Sequence, residues 1–330
     1  AAQRAARQAG MAIGLIGDLA VGTDSGGSHA WSRQRDMLNK LSVGAPPDLL
    51  NALGQSWGLT AFSPRALRRH GYDAFIEMLR ANLRHVGGLR IDHVLGLRRL
   101  WLVPEGAHAA EGAYLQCPFD DFLRLIALES HRHRAVIVGE DLGTVPEGFR
   151  DALYGSGLMG MRVLWFERDH GLFVEPRRWP AGAMATTATH DLPTVAGWWQ
   201  GRDIDWRQQL QLFAPGSNAA QEQAERRDER HKLWAAFRHA GVVETDEPPP
   251  DQADAAIDAA LRFVARTPSE LAIVPAEDLA GLVEQPNLPG TTIEHPNWRR
   301  RLPADAATLF ADPLFKRRLD LIAAERPPKR

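Results

Sequence analysis

Six short apolar runs, with helical spacing between them, leave this chain few folds to choose from. They lie in MAIGLIGDLAV (residues 11–21), in GGLRID leading to Asp92, in Ala135–Gly139, in Met161–Phe166, in Met184–Ala188 and in LAIVPAEDL near residue 275. Strand, loop and helix following one another predict a parallel sheet with helical crossovers. A dinucleotide-binding sheet would place a GxGxxG turn directly after its first strand, and none follows the first run here. A (β/α)8 TIM barrel fits better, as an incomplete α/β barrel with six of its eight strands in the sequence.

The strand ends carry the chemistry. The stretch Gly87–Trp101, GGLRIDHVLGLRRLW, runs a strand into Asp92 with Arg90 and His93 beside it. Other runs stop at Asp18, at Glu140-Asp141, at His190-Asp191 and at Glu277-Asp278. In a barrel, the carboxyl ends of the strands share one face, so Asp92, Glu140 and Asp191 are expected to converge. Two opposed carboxyl groups, one ionised and one protonated, are what retaining glycosidic chemistry uses. Period-two alternation puts Arg90 and Asp92 on one face, where a guanidinium favours the carboxylate. Glu140 follows the dry run AVIVG, and desolvation there raises a carboxyl pKa toward an acid role. His190 and Asp191 are placed to hydrogen-bond sugar hydroxyls. A single Asp at a strand end is more often a helix cap. Three such acids with basic neighbours are harder to explain as caps, and His93 is left equally open to a structural role.

Between these ends, residues 22–57 are rich in Gly, Ser, Asp and Pro and read as a long excursion. An inserted loop is therefore expected over about 22–62, and a second over Val103–Pro118, carrying Glu105, His108, Glu111 and Tyr114. Ser63-Pro64 opens a helix as N-cap and first helical residue, and Phe75, Leu79 and Leu83 mark its buried face. Asp120 is expected to cap a helix reaching about His133. Residues 204–266 read as mostly helical, and a last helix spans Asp312–Arg326. No linker divides the chain, which reads as one partial catalytic barrel over residues 1–330.

With 39 basic and 41 acidic residues the net charge is −2, which points to neither a nucleic-acid nor an anionic-membrane partner. No apolar run reaches the length of a membrane span. The single cysteine, Cys117, permits no internal disulfide, fits a reducing cytoplasm, and reads as a plain buried or loop residue. The acids and histidines show no metal-ligand spacing, so no metal is expected.

GGLRIDHVLGL, VIVGEDLGTVP and TATHDLPT resemble, in order, three signature segments of the 4-α-glucanotransferases, the amylomaltases of glycoside hydrolase family 77 in the α-amylase clan. GLIGDLAVG, GAPPD, LGQSWG, ALESHR, FERD, NLPGT and EHPNW are similar to that family as well, so the resemblance covers nearly the whole chain. It implies Asp92 as nucleophile, Glu140 as general acid/base and Asp191 as transition-state stabiliser. It also implies substrate contacts from Arg90, His190, Asp18, Trp57 and Asn287, with His93 among the same group. The implied partners are α-1,4-glucan or maltooligosaccharide donors and acceptors, and no cofactor. A hydrolase on the same residues and a non-catalytic glucan-binding piece are the alternatives. The first strand found corresponds to the third of the family barrel. The family's N-terminal portion is therefore expected to be missing, and the chain alone to be unstable or prone to aggregate.

Overall fold

Residues 1–47, 53–213 and 216–327 are described by a computed structural model. They fall into two units, Ala1–Met161 and Arg162–Arg330. The Asp48 of GAPPD lies outside the described residues.

In the first unit, helix α1 (Ala2–Gln8) precedes strand β1 (Ile16–Leu19), followed by β2 (Thr23–Asp24), helix α2 (Ser28–Ser32), β3 (Leu41–Ala45) and β4 (Gln55–Thr60). Helices α3 (Pro64–Arg69) and α4 (Asp73–Leu83) lead to β5 (Gly88–Ile91), then β6 (Arg99–Pro104) and β7 (Ala113–Gln116). Helix α5 (Phe119–His133), β8 (Val136–Gly139), α6 (Phe149–Gly155) and β9 (Met159–Val163) complete the run. The order β1-β5-β8-β9 is parallel throughout, as the alternation predicts. Its register sets Asp18 opposite Arg90. Leu89, Ile91 and Ile137 are buried with Phe75, Leu79 and Leu83 of α4 and Phe122, Leu123 and Ile126 of α5. The alternate residue Arg90 is thereby turned to the other face. Ser63 caps α3 by accepting the Ala66 N–H at 3.3 Å, with Pro64 in the first turn.

The expected loop over 22–62 is instead an antiparallel sheet. Its order is β2-β4-β3-β6-β7, so the sequence after Asp92 supplies two of its five strands. Gly and Ser hide the strand signal here because pairing demands them. A Cβ on Gly44 would lie 1.9 Å from the Gln55 carbonyl oxygen, beside a bulge between Val43 and Gly44. The core under this sheet is small, centred on Val43, Ala61, Leu100 and Leu102, so little hydrophobic alternation is needed. The second loop also shrinks, because β6 runs to Pro104 and β7 pairs with it. Between them, His108 and Glu111 cap a short turn reciprocally. Asp120 is not the cap of α5. That helix starts at Phe119 after Pro118, and Asp120 sits in its first turn, where a negative charge suits the helix dipole.

In the second unit come the hairpin strands β10 (Arg168–Asp169) and β11 (Leu172–Phe173), β12 (Ala183–Thr186), α7 (Val195–Gln200) and α8 (Arg202–Gln209). Helices α9 (Ala219–His239) and α10 (Asp254–Ala265), strand β13 (Leu271–Ala272), and helices α11 (Ala276–Ala280), α12 (Ala306–Ala311) and α13 (Pro313–Glu325) follow. β12 and β13 pair in parallel, Met184 opposite Leu271. The last strand is shorter than expected. Pro275 ends the extended run, and Glu277 and Asp278 belong to α11. The described residues of 204–266 are mostly helical, and the buried pair Arg226–Asp203 at 2.8 Å joins α9 to α8. Asp312 caps α13 by accepting the Phe315 N–H.

Candidate functional site

Arg90 organises the first group of side chains. From the second strand of β1-β5-β8-β9 its Nη1 donates to both Asp18 carboxylate oxygens at 2.8 Å, and its Nη2 donates to Asp92 Oδ1 at 3.0 Å. Burial opposes its charge, but the hydrogen bond to Asp18 and the charges of Asp18, Asp92 and Glu140 outweigh burial, and its pKa is raised. Asp92 follows β5 directly and stays anchored through its N–H to Leu19 O at 2.9 Å. Its carboxylate is half-exposed.

Glu140 occupies the same position after β8. Its Oε2 accepts the His93 N–H at 2.9 Å and its Oε1 the Leu142 N–H at 2.8 Å. Burial nevertheless raises its pKa, and the nearby Asp92 adds to the rise. The Leu142 and His93 N–H groups and Arg90 pull the other way and lose. Each carboxyl oxygen spends one lone pair on a backbone donor, which leaves a site for a proton. His93 presents its N–H to Glu140 from a left-handed backbone, φ 43°. Burial lowers the pKa of its ring, which stands edge-on to Trp57 at 5.4 Å between centroids. Trp57 Nε1 donates to Gln55 Oε1 at 3.0 Å.

The second group lies in the other unit, on the turn after β12. Asp191 Oδ1 accepts from Asn287 Nδ2 at 2.6 Å, and His190 Nε2 lies 3.2 Å from Asp191 Oδ2. The Asn287 N–H also donates to the His190 carbonyl at 3.2 Å. The structure thus gathers Asp18, Arg90, Asp92, His93, Glu140 and Trp57 in one unit, and His190, Asp191 and Asn287 in the other.

Two buried acids behind these groups escape sequence reasoning. Asp141 accepts the Met161 N–H at 2.7 Å and Arg150 Nε at 2.7 Å, and so fixes the residue after Glu140. Asp278 is wholly buried and spans the turn that carries His190 and Asp191. Its Oδ2 accepts from Thr187 Oγ1 at 2.6 Å and its Oδ1 from the Val195 N–H at 2.7 Å. The only sequence signal for either was an acid next to a strand end, which cannot say whether the side chain turns outward or inward.

Burial pushes the Asp278 pKa up from 3.8 to about 6. In that window the native state holds a proton that the unfolded chain has released. Its contribution is complete below about pH 4 and lost as pH rises through about 6, a swing of about 3 kcal/mol at 1.36 per unit. Asp278→Asn keeps an acceptor for Val195 but cannot ionise. Urea unfolding of the two proteins from pH 4 to 7 is expected to show the variant gaining on wild type by about that amount. Parallel pH profiles would refute this.

Cys117 borders a largely apolar cavity of about 250 Å³ with Phe62, Phe75, Met78 and Leu100, and burial pushes its pKa to about 11. At neutral pH it is a thiol and not a nucleophilic thiolate. Among the described residues no group of three or more His, Cys, Asp or Glu is arranged to hold a metal ion. No helix among them is long and apolar enough to cross a membrane.

The family model described as 4-alpha-glucanotransferase, a glycoside hydrolase family 77 model, matches residues 1–307. This chain belongs to that family. A 4-alpha-glucanotransferase of Mycobacterium tuberculosis is 39% identical over 330 residues, covering 98% of this chain and 45% of the relative. One from Haemophilus influenzae is 35% identical, covering 96% of this chain and 46% of the relative. The crystal structure of amylomaltase from Corynebacterium glutamicum superposes with a TM-score of 0.92 at 33% identity, over 97% of this chain and 47% of that one. An amylomaltase from Streptococcus agalactiae, solved in complex with acarbose, shares the fold at a TM-score of 0.71 and 19% identity, over 93% of this chain and 56% of that one. The likeness to the amylomaltase at 33% identity bears out the α/β fold class of that family read from the sequence. The chain spans less than half the length of these curated relatives.

Proposed function

We propose that this glucanotransferase-family chain carries the catalytic groups for moving α-1,4-glucan segments between maltooligosaccharides by double displacement. The observation that carries the reading is the pairing of unlike carboxyl groups. Asp92 is ion-paired to Arg90, while Glu140, one strand along the sheet, is biased by burial toward its protonated form. Asp92 attacks the anomeric carbon of the donor. The bond to the leaving oxygen breaks as Glu140 delivers its proton to that oxygen, releasing the shortened glucan. A 4-hydroxyl of the acceptor then gives its proton to Glu140 and attacks the same carbon, and Asp92 departs as carboxylate. Two inversions keep the α-configuration, and the bond formed is of the kind broken. Asp191, held by Asn287 and His190, is assigned to the sugar hydroxyls as positive charge builds on the ring. Asp18 is assigned a supporting substrate role through Arg90, and Trp57 with His93 an apolar edge for the donor sugar. No step calls for an organic cofactor, and a reducing cytoplasm is the compartment assigned, on the single cysteine.

The test is incubation with maltotriose. Glucose together with a ladder of longer oligomers is expected. Shorter sugars alone would replace this reading with a hydrolase on the same residues, and no change in the sugar would overturn both.

A further inference from the structure

The EHPNW segment plays no part in the reaction above, yet a set of side-chain and backbone hydrogen bonds fastens it. Asn297 holds it from inside. Its Oδ1 accepts the Leu288 N–H at 2.9 Å and faces His295 Nδ1 at 2.6 Å, and its Nδ2 donates to Thr291 O at 3.1 Å and to Thr291 Oγ1 at 2.8 Å. Gln285 Nε2 ties the start of the loop to Asn287 O at 2.6 Å, and the Trp298 N–H closes it on Pro286 O at 3.0 Å. Gln285 and His295 are buried beneath.

This fastening leaves a tryptophan open to solvent. Trp298 is 66% exposed, whereas Trp165, Trp179, Trp198, Trp199 and Trp234 of the same unit are buried. Its backbone is left-handed, φ 58°, a conformation that costs a bulky side chain free energy and persists only where the surroundings impose it. Neither exposure nor strain stabilises the fold. The indole lies against the His190 ring, 5.0 Å between centroids at 49°, and His190 in turn touches Asp191. An exposed aromatic face held rigidly beside a carboxylate and an imidazole is suited to a pyranose ring, whose C–H face packs on the indole while its hydroxyls reach polar neighbours.

We propose that Trp298 is a sugar platform, binding one glucose unit of an α-1,4-glucan next to the His190–Asp191 pair. This rests on the glucan reading above and adds a subsite to it. Loss of the platform weakens binding and leaves the chemical step nearly alone, because the indole contacts a ring already formed in the ground state.

The experiment compares wild type, Trp298→Gly and Trp298→Phe in the full-length protein, measuring kcat and KM for disproportionation of maltotriose through maltoheptaose, with a melting curve for each. Glycine suits the positive φ, so the expected result is a KM raised roughly five- to twentyfold with kcat within about twofold and no loss of thermal midpoint. Phenylalanine, which keeps a ring, recovers most of the affinity. If the glycine variant fails to fold, Trp298→Asn tolerates the same backbone and takes its place. A KM unchanged at every chain length overturns the platform while leaving the glucan reading intact. So does a fall in kcat and thermal midpoint shared by the Gly and Phe variants, which marks a structural residue. A wild type inert toward maltotriose overturns both.

Discussion

Asp92→Asn is expected to lower kcat/KM for maltotriose disproportionation by about four orders of magnitude while leaving the fold in place. The amide cannot form the glycosyl ester, and among the described residues no second carboxylate stands in the same relation to Arg90 and Glu140. Asp18, the other acid on Arg90, is reached by Nη1 and paired to the strand on the far side of β5 from Glu140. The fold should tolerate the change. Asn keeps an oxygen for Arg90 Nη2, Arg90 keeps Asp18, and the Asp92 backbone stays bonded to Leu19. Half-exposed and away from the core, the position belongs to a class of substitution that shifts stability by only about 0.5 kcal/mol. Initial rates with maltotriose and a thermal melt decide the matter. A fall of less than about tenfold, or a loss of activity matched by a collapsed melting transition, would remove Asp92 from the nucleophile role.

The strands β5, β8, β9 and β12 were legible because parallel strands buried on both faces read as continuous apolar runs with helices between them. Their ends drifted. The run expected over Met161–Phe166 pairs at Met159–Val163, and the one expected up to Glu277 stops at Ala272, because hydrophobicity continues past the point where pairing ends. The antiparallel sheet was not legible. Its strands are half-covered, carry Gly44 and Gly58, and come together from two segments flanking α3, α4 and β5, so no local pattern announces them. In the first unit, Arg90 beside Asp92 followed from period-two alternation, and the burial of Glu140 from the dry strand before it. What alternation could not supply was the double duty of Arg90 toward Asp18, which depends on inter-strand register, or the inward turn of Asp141 and Asp278. Trp298 ends the EHPNW motif, but neither its exposure nor its backbone conformation is written in the residues around it.

Glu140→Ala is expected to cut turnover of maltotriose by about 10²–10⁴-fold, and far less for the first step on an aryl α-maltoside, whose phenolate leaves without a proton. Alanine is the sharper variant than glutamine. Both Glu140 oxygens accept backbone N–H groups, so the amide of Gln would set its NH2 against either His93 or Leu142, confusing a chemical loss with a lost hydrogen bond. The space left by Ala also admits azide, which needs no general base. Azide attacking the glycosyl-Asp92 ester from the side vacated by Glu140 gives the α-glycosyl azide. In Asp92→Ala it would attack the intact donor from the opposite face and give the β-azide. The two acids are thus told apart by the configuration of one product. The pH profile adds a second criterion with a definite sign. On the proposed mechanism Glu140 is protonated for the first step, and burial raises its pKa, so kcat/KM is expected to fall as pH climbs through that raised value. In Glu140→Ala with the aryl donor, that alkaline limb disappears. Removing Arg90, whose charge lowers the Glu140 pKa, moves the limb to higher pH. A β-azide from Glu140→Ala, or an alkaline limb that survives the substitution, would assign the proton to another group.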